Sequence, residues 1–241
     1  MERLKENIMA YWSQRAEDFK KQRICEFESE KHQRWMDEIH KYLPAERPLR
    51  ILDLGTGTGF FAFLLAEEGH HVTGIDFTQN MIDRAKETSA SLGIQASFYL
   101  MDAEKPEFPE NSFDVLITRN LTWTLPHLGD AYKAWYKLLA DGGLLINFDA
   151  DYCSATYDQD EVELPPNHAH KLVNPSLLQK NDEITLEMAA YQQPRPQWDT
   201  QLLIEAGFER ISIDTGVYKR IYTEKDEFYN PTPIFTIVAY K

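Results

Sequence analysis

One stretch, Ile51 to Phe61 (ILDLGTGTGFF), constrains the fold more than any other. Arg50 to Leu54 have the apolar density of a short buried strand, three glycines follow at spacing two, and the apolar run after them reads as a helix. Gly55, Gly57 and Gly59 allow positive φ and a close backbone approach to a ligand, and the helix after Thr58 begins with N–H groups that have no partner inside it. A strand, a tight turn and a helix start of this kind suit a nucleotide-like ligand.

A second strand, HVTGIDFT, brings Asp76 to its carboxyl end about twenty residues on, the offset at which a doubly wound sheet offers an acid to ribose hydroxyls. The first turn separates two classes that share this layout. A dinucleotide site uses G-x-G-x-x-G to seat a pyrophosphate, whereas here the series is Asp53-x-Gly55-x-Gly57-x-Gly59. An acid in the strand before the turn repels a pyrophosphate and suits a ligand with an amino group and a sulfonium. On these residues the sequence resembles the class I S-adenosylmethionine-dependent methyltransferases, whose first motif has the form D/E-x-G-x-G-x-G. The resemblance runs from about Tyr11 to Lys241 as an ordered series of motifs. It implies an α/β fold with a Rossmann-like, doubly wound seven-stranded sheet of order 3-2-1-4-5-7-6, the last strand antiparallel. It also implies S-adenosylmethionine as cofactor, S-adenosylhomocysteine as product, and methyl transfer to a small-molecule acceptor by direct displacement. A cofactor-binding sensor or assembly subunit without turnover, and an NAD-dependent oxidoreductase, are the alternative readings of the same fold.

With 241 residues, 43% of them hydrophobic, the chain can bury one substantial core. A single domain is expected, with an N-terminal helical cap (1–45) and a substrate-covering insertion (151–196). No run is long and apolar enough to cross a membrane, and the start MERLKENIMAYW lacks the features of a signal peptide, so a cytoplasmic location is expected. Cys25 and Cys153 form no C-x-x-C pair, which argues against a disulfide framework or a thiolate metal site. The net charge of -14 makes nucleic acid a poor partner, because backbone binding calls for a basic footprint.

Ile8, Tyr11, Trp12, Arg15 and Phe19 fall at helical spacings between Glu6 and Phe19, and a second helix is expected from about Glu28 to Tyr42. The segment YWSQRAEDF resembles the one that folds over the cofactor in ubiquinone/menaquinone-type methyltransferases. That resemblance makes Tyr11 and Arg15 candidates for the methionine half of the cofactor and turns Trp12 toward the substrate. After the turn, Thr56 belongs to the cofactor loop, Phe77 and Met81 are expected beside the adenosine, and Asp102, with Ala103, closes the third strand where the family places an acid toward the adenine amino group. The fourth strand, Phe113 to Thr118, delivers Arg119 and Asn120 to the carboxyl end of the sheet, where open α/β folds bind ligands, and Trp123 follows. RNLTW at this point is not the N/D-P-P-Y/F motif of nucleic-acid amino methylases.

A fifth strand, LLINFDA, follows an expected helix from His127 to Leu139, and a weak helix is expected from Leu177 to Tyr191 in the insertion. A helix from Trp198 to Ala206 then leads into FERISIDTGVY and PIFTIVAYK, read as two closing strands. A general base is required only if the attacking atom keeps a proton near neutral pH. His127, Asp149 and Tyr152 are the candidates, Tyr152 also as a substrate-facing residue, with the pair His168/His170 behind them. The two histidines lack a convincing third ligand, so no metal is expected.

Overall fold

A computed structural model describes residues 2–44, 47–154, 164–168, 171, 173–189 and 191–241. At its centre β1 (Arg50–Leu54), β2 (His71–Asp76), β3 (Ser97–Leu100), β4 (Phe113–Arg119) and β5 (Leu139–Ala150) run parallel. β7 (Ile234–Tyr240) lies antiparallel between β5 and β6 (Glu209–Asp214). The order is β3-β2-β1-β4-β5-β7-β6, as the resemblance implies. Ile51, Leu52, Val115, Leu116 and Ile117 are fully buried, so successive residues pointing to opposite faces are all covered. That requires helices on both sides of the sheet, the arrangement parallel strands demand.

One face is covered by α2 (Lys31–His40), α3 (Phe60–Glu67), α4 (Gln79–Leu92) and α8 (Val217–Ile221), whose Trp35, Phe61, Ile82 and Val217 share one core with the strands. The other is covered by α5 (Leu128–Leu138) and α7 (Gln197–Ala206) through Tyr132, Trp135 and Leu203. A third cluster lies outside the sheet, where Ile184 and Met188 of α6 (Pro175–Ala189) pack on Leu4, Ile8 and Tyr11 of α1 (Glu2–Phe27). Among the described residues no helix is long and apolar enough to cross a membrane.

Three expectations are corrected. The first helix does not end near Phe19 but runs to Phe27, because Glu26 is buried against Arg119 and Phe27 packs edge-on against Phe60 and Phe63. GVY does not prolong β6. The Asp214 carboxylate accepts the Gly216 N–H at 2.7 Å, the chain turns, and α8 buries Val217 and Ile221 one turn apart. β5 also begins earlier than LLINFDA, at Leu139. At Gly143 a side chain would meet the carbonyl oxygens of Ala140 and Asp114 at 2.8 and 2.9 Å, so this glycine permits close backbone packing rather than a helix stop. The acidic run Asp158 to Glu163 and His170 lie outside the described residues.

Candidate functional site

The turn between β1 and α3 has φ of 66°, 54° and 97° at Gly55, Gly57 and Gly59. A Cβ at Gly55 would stand 2.7 Å from Leu121 Cδ1, and one at Gly57 3.2 Å from the Phe19 ring, so both backbone geometry and space select glycine. Asp53 and Asp76 are buried beneath the turn. Asp53 accepts the Thr56 hydroxyl at 2.6 Å, while Asp76 accepts the Gly57 N–H at 3.1 Å and the Thr78 N–H at 2.9 Å. Burial dominates over these donors and pushes Asp53 up to about 7 and Asp76 up to about 6.

Beside the turn lies a cleft of about 360 Å³, including its open mouth. Gly55, Asp76, Phe77, Asp102 and Ala103 line it, so the structure brings the tips of β2 and β3 together at the turn, while Asp53, Arg119 and Asn120 do not line the cleft. Met81 is buried within α4 and Thr56 within the turn. Lys5 closes the far end: its ammonium donates to Asp102 at 2.7 Å and pairs with Glu104, which also accepts the His127 backbone N–H at 2.7 Å and stands 3.0 Å from His127 Nδ1. Nothing in the spacing of a charged N-terminal segment marked Lys5 or Glu104.

α1 crosses the carboxyl ends of the strands. Lys5 meets Asp102 beyond β3, the Ser13 carbonyl accepts from Asn80 at 3.1 Å, Phe19 lies over Gly57, and Glu26 pairs with Arg119 beyond β4. From Lys5 to Phe19 the helix spans about 21 Å. Arg15, only 6% exposed, donates to Tyr11 Oη at 3.1 Å. It makes no ion pair and leaves its Nε without a hydrogen-bond partner among the described residues. Trp12 packs edge-on between Tyr11 and Phe19.

Beyond β4 and β5, Tyr152 donates to Asn120 Oδ1 at 3.1 Å and accepts from Asn230 Nδ2 at 2.7 Å, while Trp123 stacks against it at 5.2 Å. Asn230 also caps its own turn through Thr232 N–H at 3.0 Å. Burial drives the Tyr152 phenol far above its ordinary value. Asp149 is fully buried and saturated: it accepts the Thr122 hydroxyl, the Trp123 N–H at 3.0 Å and the Ala150 N–H at 2.8 Å, and Arg195 lies 3.4 Å away. Burial raises it and Arg195 counteracts. Arg119 is committed to Glu26 at 2.8 Å with its guanidinium over Trp35, so it does not join Asp76 and Asp102 in the cleft. His168 instead faces the Tyr229 carbonyl at 2.6 Å. Among the described residues no three acidic, histidine or cysteine side chains are grouped to hold a metal.

A mixed, mainly parallel sheet of this order, with acids under a glycine turn, is a Rossmann-like nucleoside-binding architecture. Residues 51–143 match the family described as Methyltransferase domain, in keeping with the resemblance to class I S-adenosylmethionine-dependent methyltransferases. It is 30% identical to phosphoethanolamine N-methyltransferase 3 of Arabidopsis thaliana over 74% of this chain and 34% of that protein. It is 32% identical to the demethylmenaquinone methyltransferase of Listeria monocytogenes over 49% of this chain and 52% of that one. The chain thus spans from about a third to about half the length of these curated relatives. The fold is that of a SAM-dependent methyltransferase from Aquifex aeolicus, with a TM-score of 0.57 at 17% identity over 85% of this chain and 88% of that one.

Proposed function

We propose that the chain transfers a methyl group from S-adenosylmethionine to a small-molecule acceptor. The observation that carries this reading is the convergence of Gly55, Asp76 and Asp102 on one cleft closed over by α1. The donor set fits the cofactor. Asp76 can accept from ribose hydroxyls, and Asp102, with Phe77 and Ala103 beside it, from an adenine amino group. Arg15 is a buried cation without an acid among the described residues, the partner a methionine carboxylate needs, and Tyr11 orients it.

When bound, the cofactor supplies a methyl group already activated on a sulfonium. The chain has to align the acceptor and exclude water, and positioning of this kind is worth roughly 7–11 kcal/mol. α1 does the excluding together with α6, whose Ile184 and Met188 pack on Leu4, Ile8 and Tyr11. Binding the positive sulfonium more tightly would not raise the rate, since that charge disperses as the methyl leaves. Asp53, Asp76 and Asp102 therefore set affinity. Tyr152 holds its proton and Asp149 has its oxygens satisfied, so neither serves as base. Phosphoethanolamine and demethylmenaquinone, the molecules in the relatives' names, differ in charge. Calorimetry with S-adenosylhomocysteine tests it: micromolar binding is expected, and no binding at millimolar ligand would discard it.

A further inference from the structure

A second cavity lies between α1, α3 and α4 and shares no lining residue with the cleft. It encloses about 200 Å³, including its open mouth. Its walls are mainly apolar, with Phe27, Phe60 and Phe63 among them, and the polar side chains on them are Arg23, Thr58 and Thr88. None of the lining side chains is an acid.

Thr58 stands between Gly57 and Gly59 in the turn. It is 2% exposed, and its hydroxyl has no hydrogen-bond partner among the described residues. A buried donor without an acceptor is a cost that a bound acceptor removes. Thr88 spends its proton on the Arg84 carbonyl at 2.8 Å and has none to offer.

Arg23 brings charge that its surroundings do not cancel. Its Nη1 donates to Glu26, but that carboxylate also takes Arg119 at 2.8 and 3.2 Å and Trp35 Nε1 at 3.1 Å. Two guanidiniums thus share one buried carboxylate, a surplus of one positive charge. Asp53 also feels Arg119, but burial pushes it up to about 7, so it cancels that surplus only in part. On the outer side of α1 and α4 the acids are already engaged, Glu87 with Lys20 and Arg84, and Glu17 with Arg84. Burial, with Arg119 beside it, presses Arg23 below its ordinary value against the pull of Glu26, as befits a cation short of counter-charge.

The count of donors selects the ligand. A phosphate presents more oxygens than one hydroxyl and one guanidinium can meet among aromatic walls, and a water would bring two protons to walls that carry no acid. A monatomic anion accepts from both donors and needs nothing else. We propose that this cavity is a halide site, in which Thr58 Oγ1 and the Arg23 guanidinium hold one chloride ion behind the glycine turn. The site is independent of the methyl-transfer reading, because the cleft and this cavity have separate walls.

Crystals of the full chain grown without halide and soaked in sodium bromide locate the ion by anomalous scattering at the bromine edge. A peak within hydrogen-bonding reach of both Thr58 Oγ1 and Arg23 is expected. In solution, thermal melts in sodium chloride against sodium gluconate at equal ionic strength should show a saturable rise with chloride, since a ligand held only by the folded chain stabilises it. Thr58→Val keeps the branched shape and should weaken the apparent chloride affinity about tenfold or more, the scale of one hydrogen bond to a charged group. An empty cavity in the bromide map overturns the proposal, as does the same chloride dependence in Thr58→Val as in the natural chain. A peak without any chloride effect on the melt marks an adventitious ion only and overturns it as well. The bromide map needs no variant, so it decides even where Thr58→Val does not fold. Failure of S-adenosylhomocysteine to bind removes the methyl-transfer reading and leaves this site standing.

Discussion

Acidifying the solution from pH 8 to pH 5 should weaken S-adenosylhomocysteine binding about tenfold, through Asp76. Its carboxylate is buried under Gly57 and pushed up to about 6, a rise from 3.8 that corresponds to roughly 3 kcal/mol of burial cost on the charged form. A ribose hydroxyl donates to the ionised form, so the ligand selects that form, lowers its pKa and releases a proton on binding near pH 6. The sign follows: affinity is full above about 7 and is lost as pH falls through 6. At pH 5 roughly one molecule in eleven has Asp76 ionised, and apparent affinity falls by that fraction. Asp53 sits at about 7 but is turned to the Thr56 hydroxyl. Were its ionisation also required, two protons would be involved and the loss at pH 5 would approach about a thousandfold. Calorimetry from pH 5 to 8 in buffers of different ionisation heat measures both affinity and proton release. A flat profile, or a profile unchanged in Asp76→Asn, would refute the assignment of Asp76 to the ribose.

Gly57→Val should abolish S-adenosylhomocysteine binding while leaving the fold intact by circular dichroism, since a β-branched residue is forced to φ 54° with its Cβ 3.2 Å from Phe19. Retained affinity would move the pocket elsewhere. Arg15→Gln should weaken S-adenosylhomocysteine about 10- to 100-fold, the worth of a charge-assisted hydrogen bond, but leave 5′-methylthioadenosine, which lacks the carboxylate, unchanged in the same titration. Asp199→Ala strips the buried Arg195 of its two-point partner and leaves the Tyr132 hydroxyl without its 2.6 Å acceptor. Breaking a buried pair costs about 3–5 kcal/mol, and a chain of this size loses about 2–4 °C per kcal/mol, so a thermal melt should fall by roughly 6–20 °C.

The features legible in sequence are those that repeat or that restrict the backbone. Burial on both faces of β1 and β4 made Ile51, Leu52, Val115, Leu116 and Ile117 apolar, and three glycines marked the turn, so these strands and Asp76 could be read from residues, while the order of the sheet came from the resemblance. Arg15 was visible because it falls four residues after Tyr11 on one helical stripe. Pairings between distant segments left no such trace. Lys5 with Asp102 and Arg195 with Thr122 join residues 97 and 73 positions apart, and a periodic pattern reports that a face is covered without naming what covers it. Arg119 shows the cost of reading by position, since the strand end does point to the ligand side of the sheet, yet a buried Glu26 on α1 captures the side chain. α8 was missed because five residues are too few to show a period, and the turn that starts it depends on a single Asp214 side chain.

The two ends of α1 hold the protein with unequal strength, and that decides how a ligand enters. Burial alone would raise Glu26, but Arg119 and Arg23 outweigh it and hold the carboxyl at about 2, with Trp35 Nε1 donating at 3.1 Å. Removing either partner from this end would strand a buried charge. At the other end Lys5 is 27% exposed; its pair with Asp102, 39% exposed, contributes about 0–1 kcal/mol, and its second partner, the buried Glu104, keeps the His127 N–H at 2.7 Å when Lys5 leaves. Lys5 also occupies an oxygen of Asp102, the acceptor proposed for an adenine amino group. A ligand therefore displaces the weaker end, and the helix opens from Lys5 toward Phe19 while Glu26 stays anchored. Hydrogen exchange should show faster exchange for the amides before Ser13 than for those around Arg23, with S-adenosylhomocysteine slowing the former selectively. Uniform exchange along α1, or protection confined to its carboxyl end, would show that the cleft is reached by another route.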